Sequence, residues 1–141
     1  MRVGWAGPRG RPALAAARVR RIVNAVLDGE RAGDAAVSVT FLSAARMRTL
    51  NRRTFGRGGL TDVIAFGLPH AGAVGGDVYV CPAAAAHVPA PVTPTQELVR
   101  LVVHGTLHVL GYDHPVGPGR TRSAMWRRQE RYVGRLERRP S

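Results

Sequence analysis

The sequence predicts an α+β fold: a small mixed β-sheet packed with helices, among them a central helix carrying two histidines. Three observations carry that expectation. Val37, Val39 and Phe41 alternate with Ser38, Thr40 and Leu42, the period of a strand. Two more short apolar runs, 62–66 and 77–81, flank the glycine-rich stretch Gly67 to Gly76. Apolar residues at helical spacing fill 14–27 and 98–110.

The elements follow in order along a single domain, 1–141. Residues 1–11 are rich in Gly, Pro and Arg and are expected to be flexible. Pro12 is suited to open a helix whose stripe of Leu14, Ala17, Arg18, Arg21, Ile22, Ala25, Val26 and Leu27 runs to about Asp28. Gly29 to Asp34 reads as a turn before the alternating strand. Ser43 is a good N-cap for a helix from Ala44 to about Arg53. Gly56 to Gly59 is a flexible basic loop, Asp62 to Phe66 a second strand and Asp77 to Cys81 a third, with Gly67 to Gly76 as a turn-rich connection between them. The two apolar strands are candidates to pair in an antiparallel or mixed sheet. Pro82 opens a short helical turn to His87, and the three prolines in the stretch Val88 to Pro94 require a loop. Thr95 is the expected cap of the long apolar helix. Pro115 to Gly119 is another loop, and Thr121 to Glu137 a terminal helix packing through Met125, Trp126, Tyr132, Val133 and Leu136. Residues 138–141 are a flexible tail.

Composition narrows the function classes. A 141-residue chain supports one real core. No apolar run approaches a membrane span, and no secretory h-region follows the N-terminal charges, so a cytoplasmic protein is expected. The single cysteine, Cys81, rules out an internal disulfide and reads as a small packed residue. The net charge of +12 comes from 21 arginines and no lysine. Such one-sided charge suits a polyanionic partner, because neutralising phosphates releases counterions.

The chemistry concentrates in His104-Gly-Thr-Leu-His108-Val-Leu-Gly111-Tyr-Asp-His114, which holds three of the five histidines. His104 and His108, four apart, share one helix face. Gly111 is placed to take the left-handed conformation that ends a helix and turns His114 back towards them. Three converging imidazoles with a fourth position open suit a catalytic zinc ion, although nickel or cobalt accepts the same donors. The spacing is that of the metzincin metalloproteases, with one change: Gly105 stands where those enzymes carry the general-base Glu. The pattern therefore argues for a metal and against ordinary peptidase chemistry.

The string VVHGTLHVLGYDH resembles the signature of the YbeY family of bacterial rRNA-maturation endoribonucleases. The resemblance extends to Leu50-Asn51-Arg52, Thr61 to Phe66, Gly76 to Val80, Met125 and Gln129-Glu130, spanning about 37–135. It implies an α+β fold, an extra N-terminal strand that the short, glycine-rich Met1 to Pro8 would truncate or fray, and action on rRNA or ribosomes. It also implies a functional arginine after a tyrosine and before a glycine. Here Thr54-Phe55 occupies that place, followed by Gly56. Arg57 is the natural substitute and Arg53 the other.

Other side chains carry two readings each. Asp113 is able to orient a ligand imidazole or to accept backbone donors in its turn. Asp62 and Asp77 are able to position water but also suit turn hydrogen bonds. Glu97, two turns before His104, is a candidate acid or base, or one half of a surface ion pair. His70 and His87 are assigned to no metal. Tyr112 suits stacking on a base or covering the turn. The first functional expectation is a zinc-dependent, single-strand-specific endoribonuclease in which His104, His108 and His114 hold Zn²⁺, an arginine stabilises phosphate charge, and the basic surface binds RNA. The rival expectations are a zinc metalloprotease or other zinc hydrolase, and a non-catalytic ribosome-assembly factor with a structural metal.

Overall fold

The computed structural model describes residues 2–6, 14–70, 73–113 and 123–137. Four strands form one mixed sheet: β1 (Arg2–Ala6), β2 (Ala36–Leu42), β3 (Val63–His70) and β4 (Ala73–Val80), in the spatial order β1-β2-β4-β3. β1 and β4 both run parallel to β2, and β3 runs antiparallel to β4, with Val39 opposite Val78 and Ala65 opposite Val78 on its other side. The helices are α1 (Ala16–Gly29), α2 (Ala44–Phe55), α3 (Pro82–Ala85), α4 (Pro94–Val109) and α5 (Ala124–Glu137).

The strand period of two sorts the side chains into two apolar clusters. Val37, Val39 and Phe41 of β2 and Val78 and Val80 of β4 meet α1, α4 and α5 in the larger cluster. Leu42, Ile64 and Cys81 join Met47 of α2 in the smaller one. The sheet thus lies between α1, α4 and α5 on one face and α2 on the other, with α3 touching both α2 and α4. Cys81 is fully buried in the smaller cluster, as a packed residue should be.

α4 is the central helix. The sheet covers one side and α1 and α5 cover another, so all residues from Leu101 to Leu107 are buried. Its cap is Thr93, two residues earlier than Thr95, the cap expected from sequence. The Thr93 hydroxyl accepts the Gln96 N–H at 3.1 Å and the Gln96 side chain accepts the Thr93 N–H at 2.9 Å. Pro94 therefore belongs to the first turn, where no intrahelical N–H is needed, rather than to the preceding loop. At the other end Gly111 takes φ 102°. Its N–H donates to the His108 carbonyl and the Tyr112 N–H to the Leu107 carbonyl, both at 3.0 Å, closing the helix as the glycine predicted.

Three further expectations are corrected. Arg2–Ala6 is not flexible chain but a strand beside β2, because parallel pairing supplies its backbone with partners. Gly67 to Gly76 is not a turn-rich connection: β3 runs on to His70 and β4 starts at Ala73. The glycines sit inside the strands because α4 passes over them. A Cβ on Gly76 would meet the Phe66 carbonyl and, at 2.9 Å, a Val109 methyl, and one on Gly67 would lie 3.3 Å from the Val109 carbonyl. α2 continues past Arg53 to Phe55, and Gly56 at φ 68° ends it, its N–H donating to the Arg52 carbonyl. Two helix starts are also later than expected: α1 begins at Ala16, because Ala15 before it is extended, rather than at Pro12, and α5 begins at Ala124, where the Ser123 hydroxyl accepts the Trp126 N–H at 3.1 Å, rather than at Thr121.

Candidate functional site

α4 presents Glu97, Arg100, His104 and His108 to a cleft of about 470 Å³. Opposite them stand Phe55 and Arg57, from the end of α2 and its following loop, and Thr61 to Ala65 at the start of β3. Gln129 of α5 closes one side. The His104 and His108 rings lie edge to face with centroids 4.6 Å apart, as a four-residue separation on a helix dictates.

The protonation of His104 follows from its neighbours. The Gln129 amide N–H donates to Glu130 at 3.0 Å, which turns the amide oxygen towards His104. Nδ1 of His104 lies 2.6 Å from that oxygen and must donate to it. In the neutral ring the lone pair then resides on Nε2, the tautomer of a metal-ligating imidazole whose other nitrogen is held by an acceptor. Gln129 is 1% exposed and His104 8%, so this contact is shielded from water.

Glu130 is clamped in turn. Arg100 donates to both its oxygens, from Nε at 2.9 Å and from a terminal nitrogen at 3.0 Å. Burial alone would raise the Glu130 carboxyl, but the hydrogen bonds from Arg100 and Gln129 hold it below its usual value. Glu97 behaves oppositely. Burial, helped by the Asp62 charge, pushes its carboxyl up despite Arg100 at 3.6 Å. Glu97 thus forms the ion pair that one sequence reading gave it, with Arg100, and its side chain also lines the cleft.

Arg57 sits on a loop that α2 restrains. Asn51, 6% exposed, donates to the Gly59 carbonyl at 2.9 Å. Among the described residues no carboxylate pairs with Arg57, whereas Arg100 is committed to Glu130 and Glu97. Arg53 is exposed on α2 and does not line the cleft.

The remaining candidates divide. Asp62 lines the cleft, but Asp77 and Asp113 do not, and Asp113 is exposed beyond α4. His70 ends β3, and His87 is exposed after α3 and does not line the cleft. Tyr112 covers the turn: its hydroxyl donates to Glu30 at 2.6 Å, where Tyr132 and Arg128 also donate. Burial opposes ionisation of Glu30, yet the two hydroxyls and Arg128 hold its carboxyl low, while burial and Glu30 push Tyr132 up to about 12. The end of α1 and α5 thereby fix the chain two residues before position 114. His114 itself lies outside the described residues, and among those described no three His, Cys, Asp or Glu side chains are grouped to hold a metal ion.

Sequence reasoning missed Arg100 as a cleft residue. Its signal was present, since positions 100, 104 and 108 fall on one helix face. The contact of Gln129 with His104 had no local signal, because it spans 25 residues and arises only when α5 docks on α4.

Gly105 also acquires a reason. A Cβ there would collide with a Val78 methyl of β4, so α4 lies on the sheet too closely for any side chain. The position that bears the metzincin glutamate is used here for helix–sheet packing.

Fold and site together define a class: α+β proteins whose buried central helix delivers paired histidines to an open cleft. Within it, the chain belongs to the YbeY family, since the family profile described as Endoribonuclease YbeY matches residues 11–137. Among similar proteins, the Endoribonuclease YbeY of Anaeromyxobacter sp. (strain Fw109-5) is 38% identical over 112 residues, covering 76% of this chain and 57% of the relative. That of Micrococcus luteus is 37% identical over 118 residues, covering 76% and 74%. That of Thermotoga maritima is 34% identical over 103 residues, covering 72% and 67%. The solution structure of TM1509 from Thermotoga maritima superposes with a TM-score of 0.66 at 28% identity, over 96% of this chain and 87% of the other. The family resemblance read from the histidine string and its companion motifs is thus borne out, as is the α+β fold.

Proposed function

We propose that this protein is a zinc-dependent endoribonuclease that cuts single-stranded RNA, acting in the cytoplasm on rRNA or ribosome-associated RNA. The observation that carries the reading is the His104 tautomer held by Gln129 beside His108, in a cleft edged by Arg57, with which no carboxylate pairs among the described residues. The donor set fits a metal: His104 would supply its Nε2 lone pair and His108 that of one ring nitrogen, with His114 as the proposed third ligand. A bound Zn²⁺ would supply Lewis acidity and acidify water near the scissile phosphate. Arg57 then faces the charge that grows on the phosphate oxygens. Glu97, its carboxyl raised by burial, is the cleft group suited to hand a proton to the leaving ribose oxygen. The names of the YbeY relatives and the charge of +12 support RNA as substrate. No helix among the described residues is long and apolar enough to cross a membrane.

The test pairs RNA with casein, each incubated with zinc-loaded protein with and without chelator. The expected result is chelator-sensitive RNA cleavage with casein intact, about one metal ion per chain, and loss of metal and cleavage in His108→Ala. Chelator-insensitive cleavage by His108→Ala, or casein cleaved while RNA survives, would overturn the reading. Metal-independent ribosome binding without cleavage would favour the assembly-factor alternative.

A further inference from the structure

Phe55 is 53% exposed, the only large hydrophobic side chain so placed among the described residues. Neither apolar cluster includes it. It ends α2 at the point where Gly56 turns left-handed, and it lines the same cleft as His104 and His108. The Arg57 guanidinium lies over the ring, 5.9 Å from its centroid. Arg52 and Arg53, in the last turn of α2, are exposed beside it.

An apolar ring surrounded by arginines is a poor seat for a hydrophobic peptide, which would have to desolvate those cations. It suits an unpaired nucleobase, whose face stacks on the aromatic while the adjoining phosphates meet the guanidinium groups. The geometry points to Phe55 as the stacking platform for an unpaired base of the RNA strand in the cleft. This assignment rests on the ribonuclease reading above and names what that site holds besides phosphate. Stacking also gives a physical basis for preferring single strands, because a paired base keeps its faces inside the helix.

The experiment compares wild-type protein with Phe55→Ala, Phe55→Leu and Phe55→Trp. The probes are a labelled single-stranded uridine oligonucleotide and an abasic oligonucleotide of equal length and charge. Melting temperature and metal content serve as controls, and both should hold because the ring is exposed. Phe55→Ala and Phe55→Leu should bind the uridine strand about five- to a hundredfold more weakly. The abasic strand should bind all four proteins alike. Phe55→Trp should retain affinity, and its added indole fluorescence should be quenched by the uridine strand only. Equal binding of the uridine strand by wild type and Phe55→Ala, or equal losses on both strands, would overturn the stacking role. If wild type cleaves RNA in that case, the ribonuclease reading stands. A wild-type protein that neither binds nor cleaves RNA would overturn both.

Discussion

Replacing Gly105 by alanine tests whether α4 lies on the sheet as closely as the structure requires. In an isolated helix the change would stabilise by ~1 kcal/mol, since glycine is a poor helix former. Here the new Cβ collides with one Val78 methyl and lies 3.1 Å from the other and 3.3 Å from the Val78 Cβ. Val78 is fully buried in β4, between β2 and β3, so it has little room to withdraw. Overpacking of this kind costs about 1–3 kcal/mol, and the directness of the collision favours the upper end. Setting ~3 kcal/mol against the ~1 kcal/mol of helix propensity leaves a net loss of about 2 kcal/mol. For a chain of this size that lowers the melting temperature by roughly 5–10 °C, readable by calorimetry. Val78→Ala removes the opposing methyls, so the double variant should lose less than the two single losses combined, by on the order of 1–2 kcal/mol. Gly105→Glu, which restores the metzincin spelling, should be destabilised further and hydrolyse no casein. A Gly105→Ala protein as stable as wild type, with strictly additive behaviour alongside Val78→Ala, would refute the close-packing account.

Arg57→Ala should keep fold and metal content but lower single-turnover RNA cleavage on the order of a hundredfold, with little recovery in Arg57→Lys. Arg53→Ala, outside the cleft, should cleave normally, and the reverse pattern in the same assay would move the role to Arg53. Gln129→Leu removes the acceptor that fixes the His104 tautomer, and metal affinity by competitive titration should fall about 10- to 100-fold; unchanged affinity would show that His104 needs no such partner. Glu30→Gln should destabilise by about 1–2 kcal/mol at neutral pH, because two tyrosines and Arg128 lose a charged acceptor. The folded Glu30 carboxyl lies below its ordinary value of 4.5, so its contribution is full above that pH and disappears as pH falls through the lower folded value. Melting temperatures of the two proteins should converge in acid, and a gap that widened there would contradict the assignment.

What was legible in the sequence was whatever a local period encodes. α4 announced itself through its apolar run, its paired histidines and Gly111, and all three fall where their spacing put them. The β3–β4 hairpin was misread because Gly67, Gly75 and Gly76 look like turn residues. Their reason lies in Val109 and Ala36, which approach from other elements, and no local pattern reports such an approach. The local pattern hid β1 similarly, and only the family resemblance implied it, because Arg2–Ala6 becomes a strand when β2 offers its edge. In the cleft, the residues of one helix face were recoverable, Arg100 included, but the orienting Gln129 was not.

The two sides of the cleft are built differently, and that difference bears on how the site works. His104 is held within helix packing: Arg100 clamps Glu130, Glu130 turns the Gln129 amide, and Gln129 fixes the imidazole. The group that accepts from Nδ1 of His104 is the neutral amide of Gln129. The acidic group one step further out is matched by Arg100. Arg57, by contrast, stands on a loop tied to α2 through the Asn51–Gly59 hydrogen bond. The half of the cleft built on α4 and α5 is held by this chain of hydrogen bonds, and the half that carries Arg57 is held to α2 by one. Damage to the first should therefore register in metal affinity, and damage to the second in cleavage rate and strand binding while the metal stays in place.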